Sequence, residues 1–250
     1  MRLGSRLKNL PIVFRSLSED DAMFIIKNTK IKRILKILIP FVLIPGIAVC
    51  GSLLFDEQKH IFVSLTVAFF SLILFITGFE KKKTGTRRMV LVAVMTAISV
   101  LGRFIPFFKP VTAITVITAM YLGGEAGFLV GSLSALLSNF YFGQGPWTAF
   151  QMLSWGIIGL IAGLLAEHLV KSKILLLLYG VLSGIAFSLI MDIWTVLWYS
   201  AGFDIELYLA SVTAAIPHTI LYAVSNFVFL FYLSKPFGDK LERIKIKYGV

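Results

Sequence analysis

The sequence of 250 residues has little charge and almost no cysteine. Charged residues make up 15% of it and hydrophobic residues 58%, whereas soluble domains carry about a quarter charged residues and a little under half apolar ones. The mean hydropathy of +0.88 agrees with this bias. The single cysteine, Cys50, excludes a disulfide framework and a cysteine-based zinc site within one chain. We therefore predict a polytopic membrane protein and not a soluble globule.

Motifs that mark several enzyme classes are also missing. The sequence contains no Gly-x-x-x-x-Gly-Lys-Ser/Thr loop for nucleotide phosphates, no His-Glu-x-x-His and no Gly-x-Ser-x-Gly. We predict no catalytic residue, no cofactor and no metal site, and the chain has no visible means of hydrolysing ATP. Asp192 is the one acid within a predicted span, which leaves little for a proton or sodium relay. If the protein moves a solute against a gradient, a partner must supply the energy.

Apolar segments long enough to cross or enter a membrane recur along the chain. A helical span needs about 20 residues to cross roughly 30 Å of hydrocarbon, and spanning segments are helices or closed barrels. The predicted all-α spans cover about 34–55, 61–79, 89–105, 111–122, 126–142, 150–166, 174–199 and 208–233. The fourth is short, and Gly123-Gly124-Glu125 separates it from the fifth.

The basic residues behind the net charge of +11 are unevenly distributed among the connections between spans. Alternate connections, counted from the N-terminus, hold 21 of the 24 Lys and Arg residues; the other connections hold only Lys59, Arg103 and Lys109. This asymmetry is the positive-inside pattern of an even-span protein with both termini in the cytoplasm. It removes most of the support for nucleic-acid binding. The basic side can also bind anionic lipid headgroups of the cell membrane.

Composition divides the chain into four parts. We predict a basic cytoplasmic segment at 1–33, an accessory transmembrane hairpin at 34–79, a six-span substrate-binding domain at 88–235 and a basic cytoplasmic tail at 236–250. A strongly basic connector, 80–88, separates the hairpin from the six-span domain.

Small residues four positions apart recur in the six-span domain. Such pairs lie on one helix face and allow another backbone to approach closely. The glycine pairs at 127 and 131, 159 and 163, and 180 and 184 are predicted to pack inside the bundle. Ala93 and Ala97 lie on the cytoplasmic half of their span, where a partner can reach them, and are predicted to form a docking face.

Polar and aromatic residues gather at the opposite, outer end of that domain. Trp147, Gln151 and Trp155 share a helix face because they are four residues apart, and ionisable groups at membrane depth normally face a cavity. Arg103 and Lys109 suit an anionic ligand group. The predicted substrate-binding residues are Arg103, Lys109, Asn139, Gln144, Trp147, Gln151, Trp155, Asp192 and His218. The alternatives are a solvated rim for the basic residues, a headgroup position for Asp192 and a structural interior role for His218.

Two stretches carry a family resemblance. Residues 88–111, with Ala93-Val-Met-Thr-Ala97, and residues 127–165, with Asn-Phe-Tyr-Phe-Gly-Gln-Gly-Pro-Trp at 139–147, resemble the substrate-binding S components of energy-coupling factor (ECF) vitamin transporters. The resemblance is greatest to members assigned to cobalamin. The N-terminal hairpin is additional to the usual six spans.

The resemblance implies a function in a bacterial cell membrane. An S component binds a vitamin or precursor at the outer face under a lid, here 103–110. It docks through small residues, here Ala93 and Ala97, onto a membrane coupling (T) protein with two ATPase subunits, and topples to deliver its ligand. This reading predicts a transport subunit and not an enzyme. Two alternatives are an autonomous secondary transporter, with only Asp192 and His218 for coupling, and a membrane enzyme acting on lipid phosphates, which lacks paired acidic motifs.

Overall fold

The computed structural model describes residues 28–54, 60–77, 82–200 and 202–248, and all regular secondary structure in these ranges is helical. Most of the predicted N-terminal segment, residues 1–27, lies outside the described residues. The helices are α1 Thr29–Leu54, α2 His60–Thr77, α3 Lys82–Gly102, α4 Val111–Leu122, α5 Gly124–Phe142, α6 Trp147–Leu164, α7 Ala166–Lys171, α8 Lys173–Tyr199 and α9 Ile205–Tyr248. The prediction of an all-α membrane bundle is confirmed.

Each predicted span coincides with a helix, and the doubtful fourth and fifth spans are separate helices. Gly123 ends α4 with a φ of +93°, a conformation that favours glycine, and α5 begins at the next residue. Within the part of the chain that the structure describes, four helices are long and apolar enough to cross a membrane alone, namely Thr29–Leu54, Trp147–Leu164, Lys173–Tyr199 and Ile205–Lys247. The last continues well beyond the predicted span and includes most of the predicted tail.

The short helix α4 is the centre of the bundle. Every residue of α4 except Tyr121 is buried, and the helix contacts α3, α5, α6, α8 and α9. A helix that is apolar on all sides is stable only when other helices surround it. Its twelve residues are therefore sufficient, because neighbouring helices cover nearly all of its surface.

Glycines allow α5 and α6 to pack almost backbone to backbone. A Cβ atom on Gly159 would lie 2.5 Å from the carbonyl carbon of Gly127, and one on Gly131 would lie 2.6 Å from the Trp155 carbonyl oxygen. A Cβ atom on Gly184 of α8 would likewise lie 2.7 Å from the Ala223 nitrogen of α9. Internal packing of the glycine pairs is confirmed. The close approach holds α5 and α6 in one register.

The N-terminal hairpin, α1 and α2, packs along the side of the other helices, α3–α9. Helix α2 contacts α5 and α6, and α1 contacts α6 and α8. Val67, Leu74 and Phe75 of α2 are buried. This packing is the main attachment of the hairpin to the other helices.

Charged residues join the hairpin to the bundle at the end where α1, α3 and α5 begin, here called the basic end. Lys36 Nζ of α1 lies 2.5 Å from Glu125 Oε1 of α5. Arg88 of α3 donates a hydrogen bond to the Leu122 carbonyl at the end of α4, and its guanidinium lies 5.6 Å from the Phe75 ring centroid. Because Lys36 is 39% exposed, its ion pair contributes little energy and mainly orients the hairpin.

The glycine contact between α5 and α6 predicts a sharp difference between two Gly→Ala variants. Gly159→Ala introduces a methyl group against the Gly127 backbone, which cannot move as a flexible side chain would. We expect it to lower the free energy of unfolding by about 1–3 kcal/mol. Gly46→Ala in α1 is the matched control, since its Cβ atom meets nothing within 4 Å. Thermal unfolding in detergent measures both, and an equal effect of the two variants would contradict the packing described.

Candidate functional site

A small cavity lies at the other end of the bundle, where α3 joins α4 and α5 joins α6; this is here called the pocket end. The cavity volume is about 40 Å³, whereas pockets for drug-sized ligands measure about 300–1,000 Å³. A ligand of vitamin size therefore requires the lining side chains to move apart. The lining residues come from α4, α6, α8, α9 and the α3–α4 connection; they are Arg103, Lys109, Val111, Thr112, Gln151, Trp155, Gly184, Phe187, Tyr222 and Asn226.

Arg103 is a buried cation in this wall. It is 8% exposed, and its Nη1 donates to Ser138 Oγ and, over 2.7 Å, to Asn139 Oδ1. Its guanidinium carbon lies 5.1 Å from the Phe142 ring centroid and 5.4 Å from that of Trp155. Within the described residues, no carboxylate forms an ion pair with Arg103, and its buried Nε has no hydrogen-bond partner. A buried charge is expensive unless it is paired, so this arrangement favours an anionic or acceptor group on a ligand.

Lys109 adds a second positive charge in the α3–α4 connection. Its Nζ lies 5.4 Å from the Phe142 ring centroid. Its backbone N–H donates to Ser225 Oγ over 3.0 Å, and the Ser225 hydroxyl donates to the Lys109 carbonyl over 3.2 Å. These bonds attach the connection to α9. Burial, followed by the charge of Arg103, lowers the pKa of the Lys109 amine.

Asn139 links the polar side chains of α5 and α6. It is 1% exposed; its Nδ2 donates to Thr148 Oγ1 over 2.9 Å and to Gln151 Oε1 over 2.8 Å. Together with the bond from Arg103, these contacts satisfy both ends of the Asn139 amide. A single buried side chain thus connects two residues of the pocket lining that lie on different parts of the chain.

The remaining wall is aromatic. Trp155 Nε1 donates to Thr112 Oγ1 over 3.2 Å, and the Trp155 ring stacks on Phe187 with centroids 4.7 Å apart. The Phe187 and Tyr222 rings meet edge to face at 5.2 Å. Flat aromatic faces beside charge-assisted hydrogen-bond donors suit a planar, polar ligand.

The pocket brings together four of the predicted site residues, namely Arg103, Lys109, Gln151 and Trp155. The others lie outside its lining. Asn139 lies behind Arg103 and Gln151, Gln144 donates to the Leu136 carbonyl over 2.8 Å, and the Trp147 ring packs against Trp194 at 5.8 Å. Asp192 is 7% exposed, and its Oδ2 has no hydrogen-bond partner among the described residues. His218 is exposed on α9, one turn before Tyr222.

Several lining residues carried little sequence signal. Thr112, Phe187 and Tyr222 are ordinary residues of apolar helices, and Gly184 reads as a packing residue. The four-residue spacing of Tyr222 and Asn226 places them on one helix face. That spacing, together with His218 on the same helix, indicates that α9 contributes to the pocket.

The described residues contain no group of three or more His, Cys, Asp or Glu side chains able to hold a metal ion. The fold is thus that of a helical membrane bundle with a small polar and aromatic cavity at one end.

The family follows from a comparison with protein-family models. Residues 83–238 match the model for the S component of ECF-type riboflavin transporters. The match covers more than half of the chain, so the protein belongs to the family of ECF transporter S components. It is a vitamin-binding membrane subunit of a transporter and not an enzyme, and S components work with a T protein and ATPases. Comparisons with curated proteins and with solved structures found no match. The family model carries the name of riboflavin, so the expectation of cobalamin gains no support from it.

The crowded positive charge at the pocket predicts a pH-dependent gain in stability when Lys109 is neutralised. Because burial and Arg103 disfavour the charged amine, Lys109→Met should raise the melting temperature at neutral pH. The gain is complete below the lowered pKa of Lys109, falls as the pH rises through that pKa, and vanishes above the ordinary lysine pKa of about 10.4.

Thermal unfolding in detergent at a series of pH values measures this gain. Lys171→Met, at an exposed lysine at the end of α7, is the control and should show no comparable gain. A gain from Lys109→Met that grows with pH would contradict the crowding of charge at the pocket.

Proposed function

We propose that the protein binds riboflavin or a close flavin relative in the pocket and delivers it across the membrane as part of an ATP-driven importer. The observation that carries the proposal is the hydrogen-bonded group of Arg103, Asn139 and Gln151 beside the stacked Trp155 and Phe187 rings. Riboflavin has a planar three-ring system whose polar edge carries two pairs of acceptors, each a carbonyl oxygen next to a ring nitrogen, separated by one N–H donor. The aromatic wall suits the ring faces, and the donors suit that edge.

The name of the family model supports riboflavin over cobalamin. The lining supports the same choice, since the pocket lies between closely packed helices and a flat ligand separates their side chains less than a bulky corrin does. Cobalamin stays a comparison ligand because the segment 139–147 resembles members assigned to it. An autonomous proton-coupled transporter could use Asp192, the one described acid within the spans, whose Oδ2 has no hydrogen-bond partner. Uptake that requires a T protein would distinguish the proposed importer from such a transporter.

Docking of the coupling protein is proposed for one face of α3. Ala93 and Ala97 are both exposed, and Val90 and Val94 beside them are 59% and 49% exposed. Small exposed residues let a partner helix approach closely within a membrane. In this proposal the pocket end faces outward, both termini lie in the cytoplasm, and the basic end contacts anionic lipid headgroups. ATP hydrolysis on partner subunits drives toppling of the docked bundle and release of the ligand inward.

Substitution of the pocket wall tests the ligand. Trp155→Ala removes a stacking face, and Gln151→Ala removes a hydrogen-bonding amide. Each should weaken riboflavin binding by at least about tenfold, since a tenfold change corresponds to about 1.4 kcal/mol. Quenching of riboflavin fluorescence by detergent-purified protein measures the affinity.

Trp198→Ala, at a tryptophan of α8 outside the lining, is the control and should leave the affinity unchanged. Tight binding of cyanocobalamin without binding of riboflavin would reverse the ligand assignment. Unchanged affinity in both pocket variants would remove them from the site.

The docking face is tested by separating binding from transport. In cells that contain the coupling module, the paired substitution Ala93→Leu and Ala97→Leu should abolish uptake while purified protein binds its ligand normally, because the larger side chains keep the partner helix away. The paired control is Ala210→Leu and Ala214→Leu, two exposed alanines four residues apart on α9. Equal loss of uptake in both pairs, or retained uptake in the first, would contradict docking through α3.

A further inference from the structure

We propose that Asn139 fixes the hydrogen-bonding polarity of the pocket, so that Arg103 and Gln151 present only donors and the site selects a ligand group made of acceptors, with anionic acceptors preferred. This inference rests on the proposed function in so far as the pocket is the ligand site. Asn139, a residue outside the lining, then determines which chemical edge of the ligand meets this wall.

The orientation of the Asn139 amide follows from its partners. Arg103 has donors and no acceptor, so the atom of Asn139 that lies 2.7 Å from Arg103 Nη1 must be the oxygen. The amide nitrogen then faces Thr148 Oγ1 and Gln151 Oε1. Thr148 Oγ1 also accepts a hydrogen bond from the Gly145 backbone N–H over 3.3 Å. Rotating the Asn139 amide would place two donors against Arg103, so the observed orientation is the one these partners allow.

The orientation of the Gln151 amide follows from that of Asn139. Because Asn139 Nδ2 donates to Gln151, the Gln151 atom that accepts this hydrogen bond must be its amide oxygen. Its Nε2, with two N–H donors, is left for the pocket that Gln151 lines. Without Asn139, either end of the Gln151 amide could face a ligand.

Arg103 is oriented by the same asparagine. Ser138 donates its hydroxyl hydrogen to the Ser134 carbonyl, so Ser138 Oγ can only accept from Arg103 Nη1. Ser138 and Asn139 both engage Nη1, and the buried Nε of Arg103 has no partner. The guanidinium therefore keeps donors for a ligand while one of its nitrogens is held by α5.

The charges of the lining agree with this polarity. Arg103 and Lys109 are cations, and the lining contains no Asp or Glu. The other polar lining residues, Thr112, Tyr222 and Asn226, lie on α4 and α9 and carry no acidic group. Thr112 Oγ1 already accepts from Trp155 Nε1, and Asn226 Nδ2 donates to the Gly180 carbonyl. A ligand donor placed against Arg103 and Gln151 would leave buried donors on both sides unpaired, which is a stronger ground for rejection than a lost contact.

Asn139 is outside the pocket lining, so it is a positioning residue, and its test must separate orientation from folding. Asn139→Asp keeps an oxygen for Arg103 but removes the donor to Gln151. The Gln151 amide should then turn its nitrogen to Asp and its oxygen to the pocket, where it opposes the acceptors of the ligand.

A comparison of two backgrounds detects this reversal. In the natural background, Gln151→Ala should weaken riboflavin binding by at least about tenfold. In the Asn139→Asp background, the same truncation should cost nothing or improve binding. Ser154→Ala is the control, because the Ser154 hydroxyl donates only to the Phe150 carbonyl of its own helix; its effect should be the same in both backgrounds. If Gln151→Ala costs the same in both, Asn139 has only a structural role and the proposal is overturned.

A second experiment uses sulfate and does not depend on the vitamin. Sulfate carries hydrogen-bond acceptors and no donor, so it tests the polarity of the wall directly. At constant ionic strength, with chloride replaced, sulfate should produce a saturable change in tryptophan emission of the whole 250-residue chain. Gln151→Glu, which replaces donors by acceptors at nearly the same size, and Asn139→Asp should each weaken it by at least about tenfold.

The two arms separate the possible failures. Absence of riboflavin binding together with a sulfate response that these variants remove would overturn the flavin assignment and support the polarity. Riboflavin binding with equal costs in both backgrounds would retain the flavin and overturn the polarity. A sulfate response that both variants leave unchanged is an adventitious ion only, and also overturns it.

Discussion

The close approach of α5 and α6 is the constraint on which the rest of the structure depends. Gly127 and Gly159 bring the two backbones together, and Gly131 lies against the backbone of Trp155. In hydrocarbon there is no hydrophobic force between helices, so such contact and the hydrogen bonds it permits supply the association. The same register places Asn139 within 2.8–2.9 Å of Gln151 and Thr148. The glycine contacts between the two backbones therefore also determine that Asn139, Thr148 and Gln151 lie within hydrogen-bond distance of each other.

Charge in this protein serves different purposes at the two ends of the bundle. At the basic end, Glu125 lies between Lys36 and Arg88, and this contact orients the hairpin on helices α3–α9. At the pocket end, Arg103 and Lys109 share the Phe142 ring and no described acid pairs with them. An uncompensated buried charge reduces stability. Such charges are typical of functional sites, where a ligand of opposite charge can pair with them. The distribution of charge, and not its total, thus distinguishes the end where opposite charges pair from the end where two cations lie without a described acid.

Much of the fold was predictable because it follows from local composition. The spans were readable from runs of apolar residues, and the break between α4 and α5 from Gly123. The site was predictable only in part. Trp155 and Gln151 stood out because they recur at helical spacing behind a polar turn. Thr112 and Phe187 did not, since their role depends on which residues face them. Asp192 and His218 were predicted as site residues because they are ionisable groups at membrane depth, yet neither belongs to the lining. The rotation of α8 and α9 about their axes decides which of their residues reach the pocket, and composition does not reveal it.

The sequence by itself determined that the chain is a helical membrane protein with its positive charge sorted by connection, since hydrophobicity and charge act residue by residue. It also carried the small residues that permit close packing and the segment that resembles S components. Only the tertiary structure decided that one buried asparagine joins Arg103 to Gln151, and which end of the glutamine amide is turned to the pocket. Hydrogen-bond polarity belongs to pairs of groups from different helices, and it exists only after packing has brought those helices together.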